Sequence, residues 1–456
     1  MVQIEDVSTP VVILRSVALG PLGILRTLGR RGVPVYVVET DPWTPGYFSR
    51  YCRGKFHCDI ENVAPEQAVS SLLEIAQKIG RRAILIPTTD EATILVDENA
   101  AALNEGFLFQ QQRPGVVRRL CSKKEMHFLA KDCGIPTPEI VFPQSRAAVL
   151  SFIETATFPV MFKGIDGLKL LKRTGKRMFI VRTGTELLEK YDRLDDSEKS
   201  NVMLQEYIPG GDDTVWMFNG YFDESSDCLL GFTGKKLRQC PVHRGVTSLG
   251  ICLKNETVEK ITKKFMSAIG YSGILDIGYK YDARDGQYKV LDVNPRIGAT
   301  FRLFVDDRDM DVARALYLHM TGQPLVPGVP CEGRKWIVED LDTVSCMRYG
   351  YNRELKFSEW VRSYRGVQET AYFASHDPLP LLPMLLHDCK DALGRLFKKR
   401  SPALAGSARP SETLRAAGVA GFAQPDVLQE SAPDIEQLAK SNTRTRGRET
   451  STLTLE

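Results

Sequence analysis

From Tyr288 to Val293 polar and apolar side chains alternate as on a half-buried β-strand, and the strand runs into Asn294-Pro295-Arg296. Strict alternation places Val290, Asp292 and Asn294 on one side of the pleat, so a carboxylate and an amide share a face and an arginine follows at once. An unpaired buried carboxylate is costly. Beside an amide and a guanidinium it suits a hard cation that also carries phosphate oxygens. Taken alone, the segment also reads as a strand ending in a proline turn with a surface ion pair.

The rest of the chain narrows the choice. Its 456 residues leave room for two or three domains, and 43% hydrophobic with 26% charged residues is ordinary for a soluble globular protein. A formal net charge of +3, with the basic residues spread rather than striped, gives no case for nucleic acid. The 10 cysteines show no C-x-x-C pair and no zinc spacing, which points to reduced thiols in a cytoplasmic protein. Met1 to Pro10 does not read as a secretory signal, and no run of 18 apolar residues is present to span a membrane.

Val11 to Leu14, the helical pattern Leu22, Leu25, Leu28 closed by Gly32, and the apolar run Val33 to Val38 form a β-α-β unit of a parallel sheet. Gly20-Pro21-Leu22-Gly23 is not a dinucleotide fingerprint, which weakens an NAD-dependent oxidoreductase reading. Ile84 to Ile86 is a later strand ending in Thr88-Thr89-Asp90-Glu91, where ligands sit in open α/β sheets; Asp90 reads either as a site residue or as a helix cap. Ser122-Lys123-Lys124-Glu125 opens a helix stopped by Gly134.

Phe158 to Lys163 is an apolar strand with a terminal lysine, followed by a polar loop, Gly164 to Arg177, basic enough for a polyphosphate but not a Walker A loop. Val202 to Glu206 is a strand leading into the turn Pro209-Gly210-Gly211-Asp212-Asp213, whose end offers main-chain groups to an adenine edge. Gly234 to Pro241 is a basic strand in which Arg238 suits a bidentate anion clamp, a solvated edge strand being the alternative. His243 and Arg244 are weaker candidates in the next turn. Residues 380–400 carry leucines at helical spacing before Lys398-Lys399-Arg400, which fits packing on the body of the protein or contact with a membrane surface. Residues 401–456, rich in Ala, Ser, Pro and charge, read as a disordered tail.

In this order the motifs resemble the ATP-grasp superfamily over roughly residues 10 to 325, and in particular its predicted carboxylate–amine ligases. The blocks carrying the resemblance are Gln205-Glu206-Tyr207-Ile208-Pro209-Gly210-Gly211 and Leu291-Asp292-Val293-Asn294-Pro295-Arg296. It implies an α/β and α+β architecture: a Rossmann-like pre-ATP-grasp domain over 1–120, a two-lobed ATP-grasp domain over 121–325, and a C-terminal extension over 326–400. It implies ATP and magnesium, with manganese as the alternative ion. Lys123 and Lys163 fit the nucleotide lysines, Glu206, Tyr207 and Ile208 the adenine hinge, and Asp213 the ribose acid. Asp292 and Asn294 match the metal positions, and Arg296 the arginine near the reacting groups, with Arg238 beside it in catalysis.

The chain departs from the family at Gly278, where a second metal carboxylate is usual; Asp276, two residues earlier on the same strand face, is the candidate replacement. The implied reaction joins a small-molecule carboxylate to an amine through an acyl phosphate. A non-catalytic ATP sensor on the same fold is the alternative. The substrates and the oligomeric state are not readable from the sequence.

Overall fold

The structure is a computed structural model that describes residues 4–15, 19–176, 178–194 and 199–398. Val11–Leu14 (β1) is fully buried and central in a five-stranded sheet with Val35–Val38 (β2), Cys52–Phe56 (β3), Ala83–Pro87 (β4) and Phe107–Leu108 (β5). All pairs are parallel and the order is β3-β2-β1-β4-β5. Parallel strands covered on both faces read as unbroken apolar runs, which is why Val11–Leu14 and Ala83–Ile86 were legible. The order reverses between β1 and β4, and the crevice beyond such a reversal is where open α/β sheets bind ligands.

A second, antiparallel sheet holds Ile140–Val141 (β6), Val160–Gly164 (β7), Met178–Val181 (β8) and Val202–Glu206 (β9) in the order β6-β9-β7-β8. Val160, Phe162, Val181, Val202 and Leu204 face a core completed by Val149, Leu187 and Tyr191. Met161, Lys163, Met203 and Gln205 alternate with them and face the other way. The expected polar loop from Gly164 to Arg177 contains a helix, Gly167–Thr174. Asp166 accepts from the N–H of Lys169 at its start (3.2 Å) and Leu170 is buried against β7, so one apolar anchor suffices to fold a segment whose charges mask its periodicity.

The third sheet comprises Val215–Phe222 (β10), Cys228–Cys240 (β11), Val246–Cys252 (β12), Gly273–Asp282 (β13), Gln287–Asn294 (β14), Lys335–Ile337 (β15) and Val367–Thr370 (β16). Its order is β14-β13-β10-β11-β12-β15-β16, antiparallel except for the β15–β16 pair. The segment read as an extension from residue 326 thus supplies the last two strands at one end of this sheet, β16 being its edge. One face shares a core with the first sheet: Val11, Ile13, Leu25 and Leu28 pack in the same cluster as Phe232, Phe301, Phe304 and Leu316. The opposite face packs on the helices Lys123–Asp132 and Glu256–Ile269.

Two bulges set which residues face the second sheet. In β14, Asp292 stands opposite Gly278 and Val290 opposite Tyr279, so Leu291 is an inserted residue. Val290 therefore does not share a face with Asp292, contrary to simple alternation; it is buried in the core with Val293. In β11, Lys236 pairs with Gly250 and Arg238 with its neighbour Leu249, so the two basic residues lie on opposite faces. All ten cysteines are free. The segment 401–456 lies outside the described residues.

Candidate active site

The cleft between the second and third sheets gathers the charged residues the sequence singled out. Lys163 ends β7 on its cleft face and donates to Gln205 Oε1 at 3.0 Å. Burial, and then the neighbouring Lys123, lower its pKa to about 8, with Asp292 acting in the other direction. Lys123 itself is exposed at the first turn of its helix, whose N-cap is Ser122. Its neighbour Lys124 points elsewhere, lying 5.6 Å from the Phe142 ring centroid.

Asp276, Asn219 and Asn294 stand on one rung across β13, β10 and β14, and Gly278 with Asp292 forms the next rung on the same face. Asn294 donates to Asp292 Oδ2 at 3.3 Å. Burial raises the Asp276 pKa to about 6; Arg296 opposes that and Asp292 adds to it. Both amide atoms of Asn219 are buried without a hydrogen-bond partner among the described residues. A Cβ added at Gly278 would meet no atom within 4 Å, so the glycine leaves open space in the site rather than relieving a clash. Two carboxylates, a carboxamide and an unsatisfied second carboxamide are hard oxygen donors, the set a magnesium or manganese ion takes.

Arg296 joins this group to the first sheet. Its Nε donates to Asp90 Oδ1 at 2.7 Å and a terminal nitrogen to Asn294 Oδ1 at 3.1 Å. Against the opposing effect of burial, Asp90 and then the Asp276 and Asp292 charges raise its pKa. Asp90 is thus a partner of the site, while the cap of the helix Asp90–Glu98 is Thr89, whose hydroxyl accepts from the N–H of Ala92. A cleft opens beside Arg296, lined by Pro87, Asp97, Gln110, Tyr271 and Ile297.

Two expected residues are used otherwise. Arg238 was expected at the phosphates; instead it is buried on the far face of β11. There its Nε and a terminal nitrogen form a bidentate pair with Asp342 at 2.8 and 2.7 Å, and another nitrogen donates to Ser363 at 2.7 Å. The bulge after Lys236 causes this, and it leaves Lys236 facing Asp276 and Asp292. The Lys236 ammonium, its pKa lowered by burial against the pull of those carboxylates, donates to the Gly245 carbonyl at 3.0 Å. The Glu206 carboxylate is held by Lys289 and Arg284, both at 2.8 Å, so only the main chain after Glu206 is left to read a base edge. That main chain leaves the sheet at half-buried Tyr207 and buried Ile208. Lys280 donates to the Gly210 carbonyl at 3.1 Å and lies 5.7 Å from the Tyr207 ring centroid. Asp213 is exposed just beyond, in the turn Asp212–Thr214. Asp212 is buried under Gln239, His243 and Tyr349. Sequence reasoning missed Lys236, Lys280 and Asn219, because nothing in the residue pattern announces the bulge or the cross-strand rung that brings them in.

Solved structures with this arrangement are found at low sequence identity. N5-carboxyaminoimidazole synthetase from Staphylococcus aureus complexed with ADP superposes with a TM-score of 0.55 at 13% identity, covering 77% of this chain and 88% of that one. The chain has the ATP-grasp fold. L-amino acid ligase from Bacillus licheniformis, with the same fold, gives a TM-score of 0.51 at 14% identity over 71% of this chain and 75% of that one. In sequence, D-aspartate ligase from Enterococcus faecium is 25% identical over 243 residues, 51% of this chain and 58% of the relative. This chain thus matches less than two thirds of that curated relative's length. No family model matches it.

Proposed function

We propose that the protein is an ATP-dependent carboxylate–amine ligase that binds Mg-ATP between its second and third sheets. The observation carrying this reading is the convergence of Lys163, Lys236 and Arg296 on Asp276, Asp292 and Asn294, with Lys123 beside Lys163. Adenine would lie against the main chain of Tyr207 and Ile208, with Asp213 at the ribose and Lys123 and Lys163 on the phosphates. Asp276, Asp292 and Asn294 would hold magnesium, which when bound neutralises phosphate charge. A carboxylate oxygen attacks the γ-phosphorus and ADP leaves; an amine then attacks the acyl carbon and phosphate leaves. The chain contributes positioning and positive charge from Lys163, Lys236 and Arg296 where charge builds on the transferring group. The cleft beside Arg296 is the place for the acid and the amine. The names of the amino-acid ligases among the similar proteins favour an amino acid as one of the two.

The test is ADP release against a panel of amino acids and small acids, with hydroxylamine present to trap an acyl phosphate as its hydroxamate. Release dependent on one acid, with hydroxamate formed, supports the ligase. A second reading, an ATP-binding sensor, is favoured by Gly278, where the usual carboxylate is missing. Tight ATP binding with no turnover on any acid would support the sensor instead.

A further inference from the structure

In the helix Leu381–Lys398 the described side chains of the first turns leave one apolar side buried and another exposed. Pro383 and Met384 are buried, and the helix lies against the short helix Pro45–Phe48. On the outer side Leu382, Leu385 and Leu386 are 52%, 46% and 58% exposed at the three- and four-residue spacing of one helical stripe, and Leu379, in the turn before the helix, is 53% exposed. The surroundings are basic. Exposed Arg50 donates to the carbonyl of His376 at 3.5 Å, just before Leu379. Exposed Arg53 and Lys55 follow Arg50, with no acidic residue between Asp41 and Asp59. Exposed Trp43 stacks on Phe48 of the same short helix at 6.0 Å. Lys390 is exposed on the helix itself, between Asp388 and Asp391 in the sequence.

We propose that this face docks on an anionic lipid surface, the leucines and Trp43 entering the headgroup–acyl boundary and the arginines and lysines meeting lipid phosphates. Exposed apolar stripes of this kind mark docking surfaces, and a leucine stripe with a tryptophan and a basic rim is the pattern of a helix that lies in a membrane interface. Charge selects the occupant. A second copy of the chain seated on the same face would gather two sets of Arg50, Arg53 and Lys55 into one interface with no acidic residue of that segment to offset them, whereas an anionic surface neutralises all of them. The inference is independent of the ligase reading, since no residue of the ATP cleft takes part.

The test is co-sedimentation of the full chain with vesicles of phosphatidylcholine alone or mixed with phosphatidylglycerol, at low and high salt. Binding should need the anionic lipid and weaken as salt screens it. Each basic residue near such a surface is worth about fivefold in partitioning. Arg50→Glu/Arg53→Glu/Lys55→Glu should therefore cut binding by about a hundredfold or more. Leu382→Ser/Leu385→Ser/Leu386→Ser should abolish binding while leaving the melting temperature and ATP affinity at parent values. No binding to either vesicle, equal binding to both, or parent-like binding of either variant overturns the proposal. So does a leucine variant that turns a parent oligomer into a monomer, which would assign the face to a second copy.

Discussion

Gly278 is the position where the proposed chemistry is most exposed to test. Its Cβ site is open and its φ is not left-handed, so a side chain can begin at Gly278 without a Cβ clash or backbone strain. The new carboxylate would stand opposite Asp292. We expect a melting temperature within a few degrees of the parent and cation affinity raised roughly tenfold, read as the manganese dependence of ATP binding by calorimetry. Asp276→Asn, which removes an anionic oxygen from the neighbouring rung, should lower that affinity nearly as far as Asp292→Asn does. Unchanged affinity in both Gly278→Glu and Asp276→Asn would leave Asp292 and Asn294 as the only protein ligands. Lys163 adds a pH signature. Burial takes its pKa from 10.5 down to about 8, so the fold disfavours its charged form. The ATP-free protein therefore gains stability from this group as pH rises from about 8 to 10.5, and lacks that gain below. Phosphate oxygens would restore the charge, so ATP binding near pH 8 to 9 should take up a proton, seen as a buffer-dependent binding enthalpy and lost in Lys163→Ala. Lys163→Ala should also weaken ATP more than Lys123→Ala, because exposed Lys123 is screened by water.

At the scale of single elements, a bulge decides which basic residue of β11 enters the cleft. Arg238→Ala would leave the Asp342 carboxylate buried with only Ser248, Tyr364 and Cys346 as hydrogen-bond partners. Breaking such a pair costs about 3–5 kcal/mol. The melting temperature should fall by several degrees while the KM for ATP stays put. Lys236→Ala should do the reverse, lowering kcat by about a hundredfold with little change in melting temperature, in line with the loss of a preorganised donor. Parallel effects of the two substitutions would place both side chains in the same site and refute the register. The sequence was informative wherever one strand carried its own pattern: β1, β4, β7, β9 and the Ser122-capped helix lie where alternation, apolar runs and capping residues put them. It was uninformative where an inserted residue changes the face, as at Leu291 and Leu237, because a period-2 pattern has no mark for a bulge. It also hid the helix Gly167–Thr174, and it gave no means of seeing that the acid partner of Arg296 would come from Asp90, 206 residues away.

Across the whole molecule the three sheets are not equally bound to one another. The first and third share one core, in which Val11, Ile13 and Leu25 touch the same cluster as Phe301, Phe304 and Leu316. Buried polar contacts lock that joint: Arg26 pairs with Asp377 at 3.1 Å, and Arg302, itself paired with Glu369 at 2.8 Å, donates to the Thr27 hydroxyl at 3.3 Å. The second sheet has a core of its own, built only from residues between Val149 and Leu204. A lobe with a core of its own can rotate at the cost of uncovering only a few apolar side chains, Met161 and Met203 on its cleft face, whereas separating the first sheet from the third would cost the burial of the whole shared cluster. Closure on ATP should therefore be carried by residues 140–206, moving Lys163 toward Asp292 while the rest stays fixed. Hydrogen exchange with and without Mg-ATP tests this. Added protection should concentrate in β7, β9 and the main chain of Tyr207 and Ile208, with little change in β1, β4 or β13. Asp377→Ala gives the converse, since Asp377 accepts from Arg26, from the Ser49 hydroxyl at 2.8 Å and from the N–H of Arg50 at 2.9 Å. Its loss should cost about 3–5 kcal/mol and raise exchange in the first sheet and in β16. Exchange in the second sheet should remain at its parent rate, because its core contains nothing from the joint. Equal loosening of all three sheets in Asp377→Ala would show that the second lobe is part of one rigid body.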